Sequence, residues 1–390
     1  LFASGLIAPQ VVSPIIDTYM TYGYVPGEQT LFQKVKKLLP GHWLLVTPEG
    51  TKTCTYWDLR YVPNDQRSPT ETADQLRELL LDATRIHLRS DVPTGVFLSG
   101  GLDSSTTVAL LAEAGFHNVK TFSVAYRDGE QYDETRYAQL VADHFHTEHH
   151  VLYVDPDRFL DFIPDYIWYM DEPVTEAAAI SLFYISKLLR EHVTVALSGE
   201  GADELFAGYD IYRYMQWLEV YRRLPEGIRS RVIEPVVSII GNGKLQRYLQ
   251  MATQPLEERY LGVSLPDTRY KSMLYTEEFR AQLEGQPNVN PLAPYYAQTR
   301  DNDVLTRMLY SDLKSWLVDD LLIKADRMTM ANSVELRVPF LDYRVVEYAA
   351  TVPSSMKRRG STVKWILKRA MQKRLPKEIL THITSEHAKG

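Results

Sequence analysis

Between Leu76 and Ile86 the apolar residues Leu76, Leu79, Leu80, Ala83 and Ile86 recur at helical spacing and share one face. The stretch opens on Ser68-Pro69-Thr70-Glu71. Ser68 can cap the N–H of Glu71, Glu71 can reach back, and Pro69 suits the first helical position. A helix is therefore predicted from Pro69 onward. The period then changes. Gly95-Val96-Phe97-Leu98 reads as a buried strand, and Ser105 to Ala114 as a helix stopped by Gly115. Val119 to Tyr126 reads as a strand, Asp133 to Phe145 as a helix and Val151 to Val154 as a strand. Ser181 to Arg190 follows as a helix and Val193 to Leu197 as a strand. Apolar strands alternating with helices imply an α/β fold, a doubly wound parallel sheet with helices on both faces. Beyond Gly208 the strand signal fades. Mainly helices are expected there, with loops at 240–244 and 283–293, and no internal repeat is visible.

The first 60 residues read differently. Leu44 to Thr47 and Thr53 to Trp57 flank Pro48-Glu49-Gly50-Thr51, a hairpin signal. Two strands alone are marginal, so this hairpin is expected to belong to a sheet whose other strands lie outside the chain. Pro63, Asn64, Asp65, Gln66, Ser68 and Pro69 mark a linker. The expected organisation is thus residues 1–60, the end of one domain, and 61–390, a second. The opening Leu1-Phe2-Ala3-Ser4-Gly5 has neither an initiator Met nor a basic segment and reads as an internal cut, not a signal peptide.

Composition narrows the function classes. The 390 residues are 45% hydrophobic and 24% charged, which is globular usage. The single Cys54 excludes a disulfide framework and a cysteine zinc site, and fits a reducing, cytoplasmic setting. A net charge of −7 argues against a nucleic-acid partner. No apolar run approaches the roughly 18 residues of a membrane span.

Two loops carry the chemistry. Leu98-Ser99-Gly100-Gly101-Leu102-Asp103-Ser104-Ser105 lies between a strand and a helix. Free N–H groups and the helix dipole favour an anion at such a junction. Gly100 and Gly101 allow close backbone approach, and Ser99, Ser104 and Ser105 add hydroxyls. There is no Gly-Lys-Ser/Thr ending, so it is not a Walker A loop. The competing reading is a Gly-rich turn before a capped helix. Ser198-Gly199-Glu200-Gly201-Ala202-Asp203-Glu204 follows a second apolar strand. In a doubly wound sheet both loops lie beyond the C-terminal strand ends, where ligands bind. Asp103 and Asp203 can then share one Mg²⁺ with phosphate oxygens, and Glu200 and Glu204 are candidate acid–base groups. The alternative is a set of solvated loop acids. Lys364 lies in a basic C-terminal stretch whose local pattern equally suits a solvated face; Lys324 is the competing cation. His144, His146, His149 and His150 straddle a helix end and a strand start, which does not suit a metal site. Phe162, Tyr166, Trp168 and Tyr169 sit at helical spacing and are expected to pack in a core.

These strings resemble the asparagine synthetase family, within the ATP pyrophosphatases. The resemblance runs in order through Tyr132 to Ala138, Asp171-Glu172-Pro173, Ser198 to Tyr209, Leu322 to Met328, Glu335 to Asp342, Lys364 to Arg369 and Leu375-Pro376. Residues 1–60 resemble the tail of the family's N-terminal glutaminase domain, of the N-terminal nucleophile type. The resemblance implies that ATP adenylates a carboxylate, that pyrophosphate leaves, and that ammonia displaces AMP. It places pyrophosphate on Ser99–Ser105, adenosine beside Leu98 and Val124, and the nucleotide against Ser198 and Gly199. It makes Lys364 the cation at the α-phosphate and Glu200 the base for ammonia. Aspartate, and ammonia or glutamine, are the implied substrates, ATP and Mg²⁺ the implied cofactors, with a homodimer left open.

Three departures qualify it. The family's glutaminase nucleophile is an N-terminal cysteine, whereas residue 1 is Leu. After Pro173 the run Val174-Thr175-Glu176-Ala177-Ala178-Ala179 lacks the hydroxyls the family often carries, which bears on the carboxylate substrate. Thr381 to Gly390 does not match. A β-lactam synthetase-like or peptide-cyclising relative, and a non-catalytic nucleotide-binding partner, stay open at this point.

Overall fold

The computed structural model describes residues 1–126, 134–240, 243–263, 271, 273–285 and 290–382. Helix α1 (Ser13–Tyr22) precedes a two-stranded antiparallel hairpin, β1 (His42–Thr47) and β2 (Gly50–Thr55). Cys54 pairs with Trp43 in its register. Leu44, Leu45 and Val46 are exposed, and among the described residues no further strand pairs with this hairpin.

Helix α2 (Pro69–His87) opens on the anticipated reciprocal cap. Ser68 Oγ accepts from Glu71 N at 3.2 Å, and Glu71 Oε2 accepts from Ser68 N at 2.8 Å. The alternation that follows builds β3 (Thr94–Phe97), α3 (Leu102–Glu113), β4 (Lys120–Tyr126), α4 (Thr135–Phe145), β5 (Glu148–Val154), α5 (Pro156–Met170), α6 (Ala178–Arg190) and β6 (Val195–Leu197). Helices α7 (Ala202–Phe206) and α8 (Asp210–Arg223) come next. A last strand, β7 (Glu335–Arg337), was not expected from the sequence. It is only three residues long with one apolar position, and among the described residues it pairs with β6 alone.

The five strands are all parallel, in the order β5-β4-β3-β6-β7. The chain winds outward from β3 to β5, then returns to place β6 on the other side of β3. The switch point lies between β3 and β6, where a doubly wound sheet opens its crevice. Helices α2, α3 and α4 bury Leu76, Leu80, Val108, Leu111 and Val141 in one core. On the opposite side Ile185 and Leu189 of α6 pack with Phe122 and Ala196 of the sheet. A further core joins Tyr212, Met215, Leu256, Tyr296 and Met308 in the helical half. At its centre the buried Asp312 accepts from Tyr212 and Tyr260, each at 2.6 Å. Those bonds satisfy a carboxylate oxygen that burial would otherwise penalise.

Two local expectations change. Helix α3 begins at Leu102 with Gly101 as its cap, three residues earlier than the apolar run suggested. Asp103 therefore stands on the first helical turn. In α5, Phe162 is buried, but Trp168 is 79% exposed. Tyr132 and Asp133 lie outside the described residues, as do parts of the expected loops at 241–242 and 286–289 and the last eight residues. No helix among the described residues is long and apolar enough to cross a membrane.

Candidate active site

The loop after β3 is shaped by its own hydroxyls. Ser99 N donates to Ser104 Oγ at 3.1 Å, the Ser99 and Ser104 hydroxyls meet at 3.0 Å, and Gly101 N donates to Ser99 Oγ at 3.3 Å. Gly100 has φ of 82°, and a Cβ there would lie 2.5 Å from Ala138 N. A side chain at this position meets both the left-handed backbone and the start of α4.

The loop after β6 lies directly against it. Ser198 N donates to Arg337 O at 3.0 Å and Glu200 N to Ser198 Oγ at 3.3 Å. A Cβ on Gly199 would fall 2.8 Å from Asp103 C and from Ser104 N. The two Ser-Gly loops are thus in backbone contact, which only glycine permits. They form the floor of a cleft of about 1310 Å³. Leu98, Ser99, Asp103, Ser104, Val124, Ser198, Gly199, Glu200 and Asp203 all line it. Gly100 and Gly101 shape the loop without lining the cleft, and Ser105 is fully buried in α3.

Lys364 reaches the same place from 161 positions beyond Asp203. It caps the helix Trp365–Met371 in a left-handed conformation, φ 50°, unusual for a side-chain-bearing residue. Its Nζ lies 2.5 Å from Asp103 Oδ2 and 2.6 Å from Asp203 Oδ1, and its side chain is 3% exposed. Room for it comes from Gly208, where a Cβ would sit 1.7 Å from Asp203 Oδ1 and 2.1 Å from Lys364 Cε. Burial alone pulls the ammonium down, but Asp103 and Asp203 together hold it above the usual lysine range. Burial pushes Asp103 up to about 7, against the pull of Lys364. Lys364 therefore stays charged beneath the floor.

The acids beside it differ. Glu200 Oε2 is enclosed without a hydrogen-bond partner. Burial raises this carboxyl to about 7, and Lys324 pulls it back. Glu204 is 1% exposed and accepts from the Tyr209 hydroxyl at 2.6 Å. Burial, reinforced by Asp203, lifts it to about 8. Sequence reasoning passed over Gly208 and Tyr209 as individuals, although both close the Ser198–Tyr209 string. It gave no signal for Asp320, a buried acid beside the cleft. A separate group, Glu148, His150 and His192, comes within 4.8 Å on the sheet edge. Lys120 already bonds both Glu148 oxygens at 2.6 and 2.7 Å, so the carboxylate of this group is paired with an ammonium.

A doubly wound parallel sheet with a cleft and a Ser-Gly loop at its switch point defines the class, an α/β fold that places a ligand crevice there. The sequence pattern of asparagine synthase matches residues 75–386, and the chain belongs to that family. It is 35% identical over 373 residues to asparagine synthetase (glutamine-hydrolyzing) 1 of Bacillus subtilis strain 168, covering 94% of this chain and 57% of that protein. A putative asparagine synthetase (glutamine-hydrolyzing) of Mycobacterium tuberculosis H37Rv is 34% identical over 94% of the chain and 56% of its own length. The amidase chyE of Penicillium rubens is 26% identical over 90% and 58%. The chain spans somewhat over half the length of the curated relatives it matches.

Proposed function

We propose that this chain is the ATP-dependent, amide-forming part of an asparagine synthetase, with aspartate as the carboxylate. The observation that carries the reading is the Lys364 ammonium held by Asp103 and Asp203 beneath two touching Ser-Gly loops, with Glu200 beside them. A substrate carboxylate oxygen attacks the α-phosphorus of ATP. The bond to the bridging oxygen breaks, and pyrophosphate leaves toward the Ser99–Ser105 loop, where the α3 N-terminus favours an anion. Lys364 supplies fixed positive charge as negative charge grows on the phosphoryl oxygens. Ammonia then adds to the acyl carbon, Glu200 accepts a proton from it, and AMP departs with the bonding electrons of the acyl–oxygen bond.

Two facing carboxylates form an oxygen donor pair suited to Mg²⁺, and Asp103 Oδ1 is buried without a hydrogen-bond partner. Asp103 and Asp203 would hold the ion, which neutralises phosphate charge when bound. Residues 1–60, with their uncovered hairpin, are read as the end of a glutaminase domain, and 61–390 as the synthetase domain. The test is carboxylate-dependent exchange of labelled pyrophosphate into ATP, followed by AMP and asparagine formation from ammonium chloride. Exchange with no carboxylate tested would refute the reading.

A further inference from the structure

We propose that Asp319 is a positioning residue for the cleft. Lys37 and the Gly27 N–H grip its two carboxylate oxygens and hold the helix Leu317–Leu322 in the register that lets Leu321 and Lys324 line the site. The link to turnover rests on the adenylating reading above; the grip itself does not.

The helix Leu317–Leu322 is of the π type, wider than an α-helix. Such turns are rare and occur frequently at functional sites. It joins two ordinary helices, Val304–Lys314 and Ile323–Met330. The first packs on α7 and α8, the second on α5 and α6. The stretch between them is held from residues 24–37. The Tyr24 ring lies 6.0 Å from that of Trp316, which also lines the cleft. Gly27 N donates to Asp319 Oδ2 at 2.8 Å. Lys37 Nζ donates to Asp319 Oδ1 at 2.9 Å and to Val25 O at 2.6 Å. The Asp319 side chain is 5% exposed, so both of its oxygens take their partners inside the protein. A segment that the domain reading assigns to residues 1–60 thus shapes the wall of a cleft built from 61–390.

Helix geometry says why a grip matters here. Rewinding a π turn as α shifts the residues on one side of it by about one position. That is about 100° round the axis and about 1.5 Å along it. Leu321 lies within the turn and Lys324 two residues past its end, so both would leave the wall they now line. Burial pushes the Asp319 carboxyl above its usual range, and Lys37 with the Gly27 N–H pulls it back. A buried carboxylate that loses its cation is strongly disfavoured where it stands, which drives the turn that carries it to move. The adjacent pair Lys36–Glu28, 2.7 Å apart, is more than half exposed on both sides and bears no such load.

The test measures hydrogen exchange and activity on the full chain. Lys37→Met should raise the rate of deuterium uptake about 10-fold or more in peptides covering residues 316–324, and leave β3 and α3 unchanged. Its affinity for a fluorescent ATP analogue should match wild type, since the Ser-Gly loops are untouched. Aspartate-dependent pyrophosphate exchange should fall about 10–100-fold in kcat/KM. Lys37→Arg keeps the charge and should recover most of both effects. Asp319→Asn keeps an acceptor for Gly27 N and should fall between. Lys36→Met is the control and should behave as wild type. Wild-type uptake at 316–324 in Lys37→Met overturns the proposal whatever the activity. Uptake that rises equally across the sheet, or ATP-analogue affinity that falls with the exchange, marks a general loss of structure and overturns it too. A local rise in uptake with wild-type kcat/KM shows a grip that positions nothing, which also refutes it. If wild type shows no carboxylate-dependent exchange, the adenylating reading fails, while local uptake and its rescue by Lys37→Arg still decide for or against the grip.

Discussion

Gly208→Ala tests whether Lys364 is positioned by packing. The added methyl would lie 1.7 Å from Asp203 Oδ1 and 2.1 Å from Lys364 Cε. Ordinary contact needs about 3.5 Å, so each group must retreat by about 1.5 Å or more. Neither has room to do so freely. The Lys364 side chain is 3% exposed and that of Asp203 19%, and the oxygen displaced is the one that holds the ammonium at 2.6 Å. Overpacking by a methyl group costs about 1–3 kcal/mol, and full loss of a buried ion-pair arm about 3–5 kcal/mol. A loss of about 3 kcal/mol in unfolding free energy is expected where the two ranges meet. Catalysis should fall further, since a displacement of about 1 Å in a reacting constellation costs about 100-fold. The measurements are urea unfolding midpoints and aspartate-dependent pyrophosphate exchange. Gly227→Ala is the control: nothing lies within 4 Å of its Cβ, and it should behave as wild type. A Gly208→Ala protein with wild-type midpoint and exchange would show that Lys364 can retreat without loss, and that its packing does not set the site.

The other predictions concern charge. Asp103→Asn and Asp203→Asn should each abolish adenylation and weaken Mg·ATP binding; wild-type-like pyrophosphate release by either would end the shared-metal idea. Lys364→Ala should bind ATP yet lose turnover by far more than affinity, because a charge used in the transition state affects rate above binding. Collapse of ATP affinity with turnover surviving at saturation would make Lys364 a binding residue instead. Burial raises Glu200 from 4.5 to about 7, so folding favours its protonated form. That stabilisation is full below about 4.5 and is lost as pH rises through about 7. Glu200→Gln should therefore be the more stable protein at pH 8, by up to about 3 kcal/mol, with no advantage near pH 4.5. Urea midpoints across that range check the sign, and the same variant should fail to form the amide.

Much of this arrangement was legible because the relevant signals are local. The Ser68 cap, the apolar strands β3, β4 and β6 and the two Ser-Gly loops each sit within a few consecutive residues. The pairing of Gly199 with Asp103 follows from them, since two loops after neighbouring parallel strands must emerge side by side. What stayed hidden is non-local. Strand β7 is three residues with polar ends, and it exists because β6 offers a free edge. The local pattern around Lys364 equally suited a solvated basic face; the family resemblance singled it out, and the fold carries it to Asp103 and Asp203. Gly208 carries no local sign of its role, yet its lack of a side chain matters for a lysine 156 positions later. Asp320 sits in an acidic pair, Asp319-Asp320, that resembles surface sequence; helix packing buries it at 2% exposure.

The structure also separates two acids that the local residue pattern left equivalent and of which the family resemblance singled out Glu200. Glu200 and Glu204 are four residues apart and both enclosed, but their surroundings push them to different work. Glu204 is pinned by the Tyr209 hydroxyl at 2.6 Å and lies beside Asp203, whose charge adds to burial in lifting it to about 8. At neutral pH it holds its proton, and it adds no negative charge to the floor on which the proposed reaction places phosphates. Glu200 has no hydroxyl on Oε2, and Lys324 restrains its rise to about 7. A base titrating near the working pH is present in its ionised form while still holding a proton strongly once it has one. That balance suits acceptance of a proton from ammonia as the amine attacks. Where two carboxyls are driven apart by their environments, the one poised near neutrality takes the proton and the other stays protonated. Under the proposed reaction Glu200 is the base, and Glu204 with Tyr209 forms the neutral wall behind Asp203.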